Sequence, residues 1–230
     1  MSYERIEAEG LIFDCRPNTS DEKSVREVIS RKGYARRDFR PADGEKWLDI
    51  GCNIGAFAVW AASFGATVNA YEPDPENAEL ARHNIQINGL SRYATVHEIA
   101  LTADDKIGAA NFYRNTARGN LWRNSLYKEW RGGETITVPT HPIDELWTKE
   151  VHIKLDAEGA EMPILERYAA TPVKRLVFEW SFDIDPSITR YNAVIDTLSK
   201  HYRVRSAKLN PGFDTWQPEW FPPCRTVWCD

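Results

Sequence analysis

Several things are scarce in this 230-residue chain, and each scarcity excludes a class of protein. No apolar run approaches the ~20 residues that a membrane helix needs, and Met1–Gly10 (MSYERIEAEG) lacks the apolar centre of a signal peptide. A cytoplasmic protein without membrane contact is expected. The four cysteines, Cys15, Cys52, Cys224 and Cys229, form no C-x-x-C pair and have no histidine at zinc-ligand spacing. Free thiols are therefore expected in place of a metal site or a disulfide framework. Excess positive charge is also missing: the formal net charge is −5, which disfavours nucleic acid held by bulk electrostatics. There is no internal repeat, low-complexity tract or evident linker. With 42% hydrophobic and 27% charged residues, the chain reads as one folded α/β domain.

What is present alternates between strand and helix. Lys46–Gly51 (KWLDIG) is an apolar run that breaks at glycine and leads into the helical stretch Ala56–Phe64. Thr67–Tyr71 and Asp74–Ile87 repeat the unit, with Pro75 in the first helical turn and Gly89 after the last. Ala94–Ile99 is the third strand, Val151–Asp156 the fourth and Arg175–Trp180 the fifth, with helices at Pro163–Ala169 and Ser187–Lys200. Ala109–Tyr113 and Thr135–Val138 suggest a small ribbon around a polar loop, while Tyr202–Ser206 and Thr226–Cys229 suggest two last strands with an antiparallel edge. Thr19 and Glu22 suggest a capping box for a helix of about a dozen residues ending near Gly33. The expected organisation is a single domain over 1–230: a helical extension at 1–45, a core at 46–206 and a tail at 207–230 that completes the sheet. Such a Rossmann-like sheet, mainly parallel with helices on both faces, binds ligands beyond the carboxyl ends of its strands.

The informative segment is Asp49-Ile50-Gly51-Cys52-Asn53-Ile54-Gly55, at the first strand-to-helix turn. Glycine there lets the backbone approach a nucleotide, and Glu72, ending the second strand, is placed to accept hydrogen bonds from a ribose. A bare tight turn is the bland alternative for the glycines alone; Asp49 and Glu72 in register make the cofactor reading the better one. The dinucleotide fingerprint G-x-G-x-x-G is absent, since Asn53 replaces its middle glycine. That separates S-adenosylmethionine, with its cationic amino-acid end, from NAD and disfavours an oxidoreductase. The expected cofactor contacts are Asp49, Gly51, Cys52, Asn53, Gly55, Ala56 and Phe57, then Glu72, Pro73, Ala100 and Asp156.

Three motifs in order, LDIGCNIGAF at 48–57, YEPDPENAELARHNIQINGL at 71–90 and KLDAEGAEMPIL at 154–165, resemble those of the FkbM-type methyltransferases. The last matches the K-x-D-x-E-G-x-E pattern of that family. A weaker likeness lies in Asn124-Ser125-Leu126 and VPTHPIDEL at 138–146. The resemblance covers about 46 to 180. It implies a class I methyltransferase sheet and S-adenosylmethionine-dependent methylation of hydroxyls on sugars or related metabolites.

A hydroxyl acceptor must lose its proton, so a carboxylate near the methyl group is wanted. Asp156, Glu158 and Glu161 follow the fourth strand and are the expected catalytic residues, Glu161 having helix capping as its alternative. Lys154 and Glu179 rank second, as a strand lysine paired to these acids and as a pocket wall. Asp156 with Asp183 and Asp185 outlines a Mg²⁺ site of the catechol O-methyltransferase type. The lysine of that type is replaced by Gly159, so no metal is expected. His141 and His201 are the histidines free enough to reach a site. The runner-up function is an RNA or DNA methyltransferase whose 114–131 loop uses Arg114, Arg118 and Arg123 on phosphates and Trp122 or Trp130 on a base. Against it, no N/D-P-P-Y/F motif follows the fourth strand, and Phe221-Pro222-Pro223-Cys224 comes too late for a Pro-Cys nucleophile. A non-catalytic scaffold is disfavoured by the intact site. Trp122, Trp130, Trp216 and Trp220 are candidate platforms for a sugar ring.

Overall fold

A computed structural model describes residues 3–31, 33–35, 39–105, 107–206, 209 and 224–230. The chain opens with a hairpin, β1 (Glu4–Ala8) and β2 (Leu11–Cys15), whose two-residue turn has positive φ at both Glu9 (50°) and Gly10 (81°). Helix α1 (Asp21–Val28) follows. The extension is thus not simply helical, and its helix stops five residues before Gly33. Nor does the capping box form. Thr19 Oγ1 donates to the Arg16 carbonyl, Glu22 pairs with Arg26 one turn on, and Ser20, the residue at the helix start, makes no side-chain cap.

The core then runs β3 (Lys46–Ile50), α2 (Ala56–Ser63), β4 (Thr67–Tyr71), α3 (Pro75–Ile87), β5 (Ala94–His97), β6 (Ala100–Thr102), β7 (Gly108–Arg114), β8 (Glu134–Pro142), β9 (His152–Leu155), α4 (Glu161–Tyr168), β10 (Arg175–Ser181), α5 (Ile188–Leu198), β11 (Val204–Arg205) and β12 (Cys224–Cys229). Seven strands form one sheet in the order β11-β12-β10-β9-β3-β4-β5. β5, β4, β3, β9 and β10 are parallel, and β12 runs antiparallel to both β10 and β11. This is the mainly parallel sheet with an antiparallel edge. The ribbon gains a strand: β7 pairs antiparallel and β6 parallel with β8. Among the described residues no helix is long and apolar enough to cross a membrane.

One cluster of buried side chains lies on each face of the sheet. Helix α2 (AFAVWAAS) buries every residue from Ala56 to Ala62, because the sheet covers one side while α1, α3 and β2 cover the others. The hairpin is clipped to α3 by two asparagines that imitate a neighbouring strand. Asn84 Oδ1 accepts from Asp14 N (2.9 Å) and its Nδ2 donates to Asp14 O (3.3 Å); Asn88 does the same for Ile12 at 2.9 and 2.6 Å.

Candidate active site

A cavity of about 470 Å³ opens at the carboxyl ends of β4, β3, β9 and β10 and at the amino end of the antiparallel β12. Its floor is the β3–α2 turn. Gly51 has φ +76°, and its amide and that of Cys52 both donate to the Tyr71 carbonyl, at 2.9 and 3.1 Å. Asn53, at φ 51°, turns its own Oδ1 onto the Ile54 amide (2.7 Å). Two loop residues in this uncommon backbone region, Asn53 and Glu158 (φ 47°), face the same cavity. Strain of this kind concentrates at sites that the surrounding fold over-determines.

Glu72 directly follows β4 and receives two backbone amides, Asn53 N at 2.9 Å and Asp74 N at 3.0 Å. Burial first, then the neighbouring Asp74, pushes its carboxyl up to about 7. Asp74 caps α3 through Glu76 N, and its second oxygen accepts from Arg114 Nε (2.8 Å) and Asn124 Nδ2 (3.0 Å). Pro73, Ala100, Leu101, Phe112 and Leu126 give the cavity an apolar slot beside Glu72. A carboxylate next to a flat apolar slot fits a ribose carrying a base.

The opposite wall is held by a buried lysine. Lys154 Nζ lies 3.1 Å from Asp49 Oδ1, donates to the Gly51 carbonyl at 2.6 Å and lies 3.8 Å from Asp156 Oδ2. Burial works against its charge, but Asp49 and Asp156 outweigh it and raise the ammonium above its ordinary value. Asp156 also accepts from the buried Tyr34 hydroxyl at 2.5 Å. Asp49 sits beneath the cavity, whereas Gly51, Cys52, Asn53, Ala56, Phe57, Glu72, Pro73, Ala100, Asp156 and Glu158 line it. Gly55 does not reach the lining; it begins α2 at φ +83°, where an added Cβ would stand 3.1 Å from the Ala81 Cβ of α3.

Glu158 Oε2 is 3.3 Å from Arg123 Nη2 and accepts from Ser181 Oγ at 3.5 Å, while the Glu158 carbonyl accepts from Ser125 Oγ at 2.5 Å. Burial raises its carboxyl well above the usual range against the pull of Arg123. Glu161 stands apart. It is fully buried, outside the cavity lining, and its oxygens accept from the Ala157 amide and from Gly159 N at 2.7 Å. It holds the loop that carries Glu158. Tyr34 carried no sequence signal, because its tie to Asp156 spans 122 positions.

Three cations of the 114–131 loop, Arg114, Arg123 and Lys128, are committed to ion pairs. Arg114 pairs with Asp74, Glu76 and Glu134, and Arg123 with Asp183 and Glu158. Asp183 also receives Lys128, and Asp185 receives Arg190 and the Ser187 amide. Of the three aspartates suggested for Mg²⁺, Asp183 thus holds two loop cations, Asp185 holds Arg190 of α5, and Asp156 faces Lys154. Trp122 lines the cavity with the Lys23 ammonium 4.3 Å above its ring; Trp130 lies under Arg123 and Lys128. Neither His141 nor His201 lines the cavity. Trp216, Trp220 and Phe221–Pro223 lie outside the described residues.

A family model described as the methyltransferase FkbM domain matches residues 49–205. A ubiquinone biosynthesis O-methyltransferase of Methylocella silvestris is 42% identical over 65 residues, 28% of this chain and 24% of that protein. A 23S rRNA (uracil(1939)-C(5))-methyltransferase of Shewanella is 40% identical over 57 residues, 25% of this chain and 13% of that protein. The chain thus spans a quarter or less of the length of these relatives. Among solved structures, a methyltransferase FkbM from Methylobacillus flagellatus aligns over 90% of this chain and 48% of its own, at 15% identity and a TM-score of 0.48.

Proposed function

The chain belongs to the FkbM methyltransferase domain family, and from that premise we propose that the protein methylates a hydroxyl on a sugar or glycosylated metabolite. The fold is the Rossmann-like class I methyltransferase fold, and the cofactor is S-adenosylmethionine. The cavity fits that cofactor. Glu72 and the apolar slot suit its adenosine; the close backbone approach at Gly51 and the acidic Asp49–Asp156 side suit its cationic amino-acid end.

When bound, the cofactor supplies a methyl group on a sulfonium sulfur, and the protein's task is alignment. Glu72 would hold the ribose, and the turn from Gly51 to Asn53 would hold the amino-acid end. Lys154 and Tyr34 fix Asp156 beside the turn. Glu158, locked by Ser125 and Arg123, faces the remaining volume and takes the proton that the acceptor hydroxyl gives up as its oxygen gains the methyl carbon. Adenosylhomocysteine and a methyl ether are the products. The observation that carries this reading is the position of Glu158 on one continuous cavity with Glu72.

The acceptor reading is supported by the family and by the charges. A polyanion would meet carboxylates at Glu27, Asp156, Glu158 and Glu179, and Arg114 and Arg123 are already paired within the fold. Labelled S-adenosylmethionine offered with separate pools of carbohydrate, RNA, DNA and protein tests it. Label in the carbohydrate pool supports the reading; label in RNA or DNA alone overturns it.

A further inference from the structure

The end of the cavity farthest from Glu72 holds more carboxylate than its cations neutralise. Glu27, on the exposed rim of α1, and Glu179, in β10, both line it, together with Cys224 and Thr226 of β12. Burial first, then Asp156 and Glu27 among other neighbouring acids, pushes the Glu179 carboxyl up to about 8, and the contact drawing it the other way is the Cys224 thiol. A thiol is a weak donor and brings no positive charge.

Three cations line the same cavity, and all are engaged elsewhere. Lys154 lies 3.1 Å from Asp49, Arg123 lies 2.6 Å from Asp183 and 3.3 Å from Glu158, and the Lys23 ammonium sits 4.3 Å over Trp122. Among the described residues neither Glu27 nor Glu179 has an ion-pair partner. The positive charge of the cofactor belongs to the turn after β3. Strand β10 is two places along the sheet from β3, roughly 10 Å at the ordinary interstrand spacing.

We propose that Glu27 and Glu179 receive a protonated amine on the acceptor, so that the substrate is an amino sugar or aminated glycoside and not a neutral or acidic one. This rests on the sugar-hydroxyl reading above. An ammonium draws the Glu179 carboxyl into its ionised form and makes charge-assisted hydrogen bonds with both carboxylates. A neutral sugar offers no such charge, and a uronic acid brings another anion to an already acidic wall.

Calorimetric titration of the full chain, first with adenosylhomocysteine and then, once saturated, with four hexoses at pH 7, tests the proposal. Glucosamine is expected to bind at least tenfold more tightly than glucose or N-acetylglucosamine, with glucuronic acid weakest. Glu179→Gln should reduce that preference at least fivefold while adenosylhomocysteine affinity holds. Should that variant fail to fold, Glu27→Gln at the exposed rim gives the same readout. Equal or tighter binding of N-acetylglucosamine or glucuronic acid overturns the proposal, as does no binding of glucosamine or a preference that survives both substitutions. Failure of adenosylhomocysteine to bind in the first titration instead overturns the cofactor site on which both readings stand.

Discussion

The α-carbon of Gly51 faces the main chain of Asp156 so closely that a Cβ there would stand 1.8 Å from the Asp156 carbonyl oxygen and 2.7 Å from its carbonyl carbon. The ends of β3 and β9 therefore meet with no side chain between them. That contact puts the β3–α2 turn and Asp156 side by side. Both obstructing atoms are backbone, and φ is +76°, so a side chain is opposed by contact and by conformation together. Gly51→Ala is expected to lower adenosylhomocysteine affinity at least 100-fold and to depress Tm, measured by calorimetry and thermal unfolding. Wild-type affinity in the variant would show that the two loops separate freely.

Glu72→Gln keeps the shape of the proposed ribose acceptor and removes its charge, which should weaken adenosylhomocysteine by about 1–3 kcal/mol. The wild-type affinity should also depend on pH. The carboxylate is the better acceptor, and its carboxyl lies at about 7, so affinity rises as pH climbs through 7 and levels off above. Stability has the opposite sign. A carboxyl raised from 4.5 to about 7 favours the folded state fully below 4.5, and that contribution is lost as pH rises through 7. Titrations from pH 6 to 8 should show the affinity slope in wild type and none in the variant. An equal slope in both would assign it to another group.

Strands β3, β4, β9 and β10 were legible because each is a short, mostly apolar run broken by only one interior polar residue (Asp49, Asn69, Lys154 and Glu179), and three of the four lead into a glycine or an acid at the carboxyl end. The hairpin was not. ERIEA and LIFDC bury only part of their surface, and the turn between them is Glu9-Gly10 in place of the commoner Asn-Gly. The partly exposed α1 offered only a capping pattern, which the arginines at 16 and 26 divert. At the site, Gly51, Glu72 and Asp156 stand in motifs that name their neighbourhood. The ties that decide what each charge does span long stretches of chain: Tyr34 to Asp156, Arg123 to Asp183, Arg114 to Asp74. Arg114 and Arg123 read as phosphate ligands for that reason, since nothing local shows that a carboxylate already holds them.

Asn84 joins the N-terminal hairpin to the β3–α2 turn. Its Nδ2 donates to the Ile54 carbonyl at 3.0 Å as well as to Asp14 O, and it is fully buried. Asn84→Ala leaves the Asp14 amide and the Ile54 carbonyl without that partner. The expected cost is about 1–3 kcal/mol for each buried group stranded, or roughly 2–4 °C in Tm per kcal/mol in a domain of this size. Because Ile54 lies in the turn, adenosylhomocysteine affinity should fall with stability. An affinity loss without a Tm change, or neither, would show that the clip is not shared.

Glu158 tests the reaction centre itself. Ser125 fixes its carbonyl and Arg123 its carboxylate, so Glu158→Gln can keep both contacts while losing the ability to accept a proton. Its carboxyl is raised well above the usual range by burial, which makes the ionised form a stronger base than an exposed glutamate. Turnover on whichever pool takes up label is expected to fall by roughly 10²–10⁴, with adenosylhomocysteine affinity within about twofold of wild type. The pH profile separates this from mere packing. Wild-type kcat/KM should rise with pH as the carboxyl ionises, and that limb should vanish in Glu158→Gln. Full turnover in the variant would move the proton to Asp156 or Glu179 and leave Glu158 as the side chain that positions Arg123.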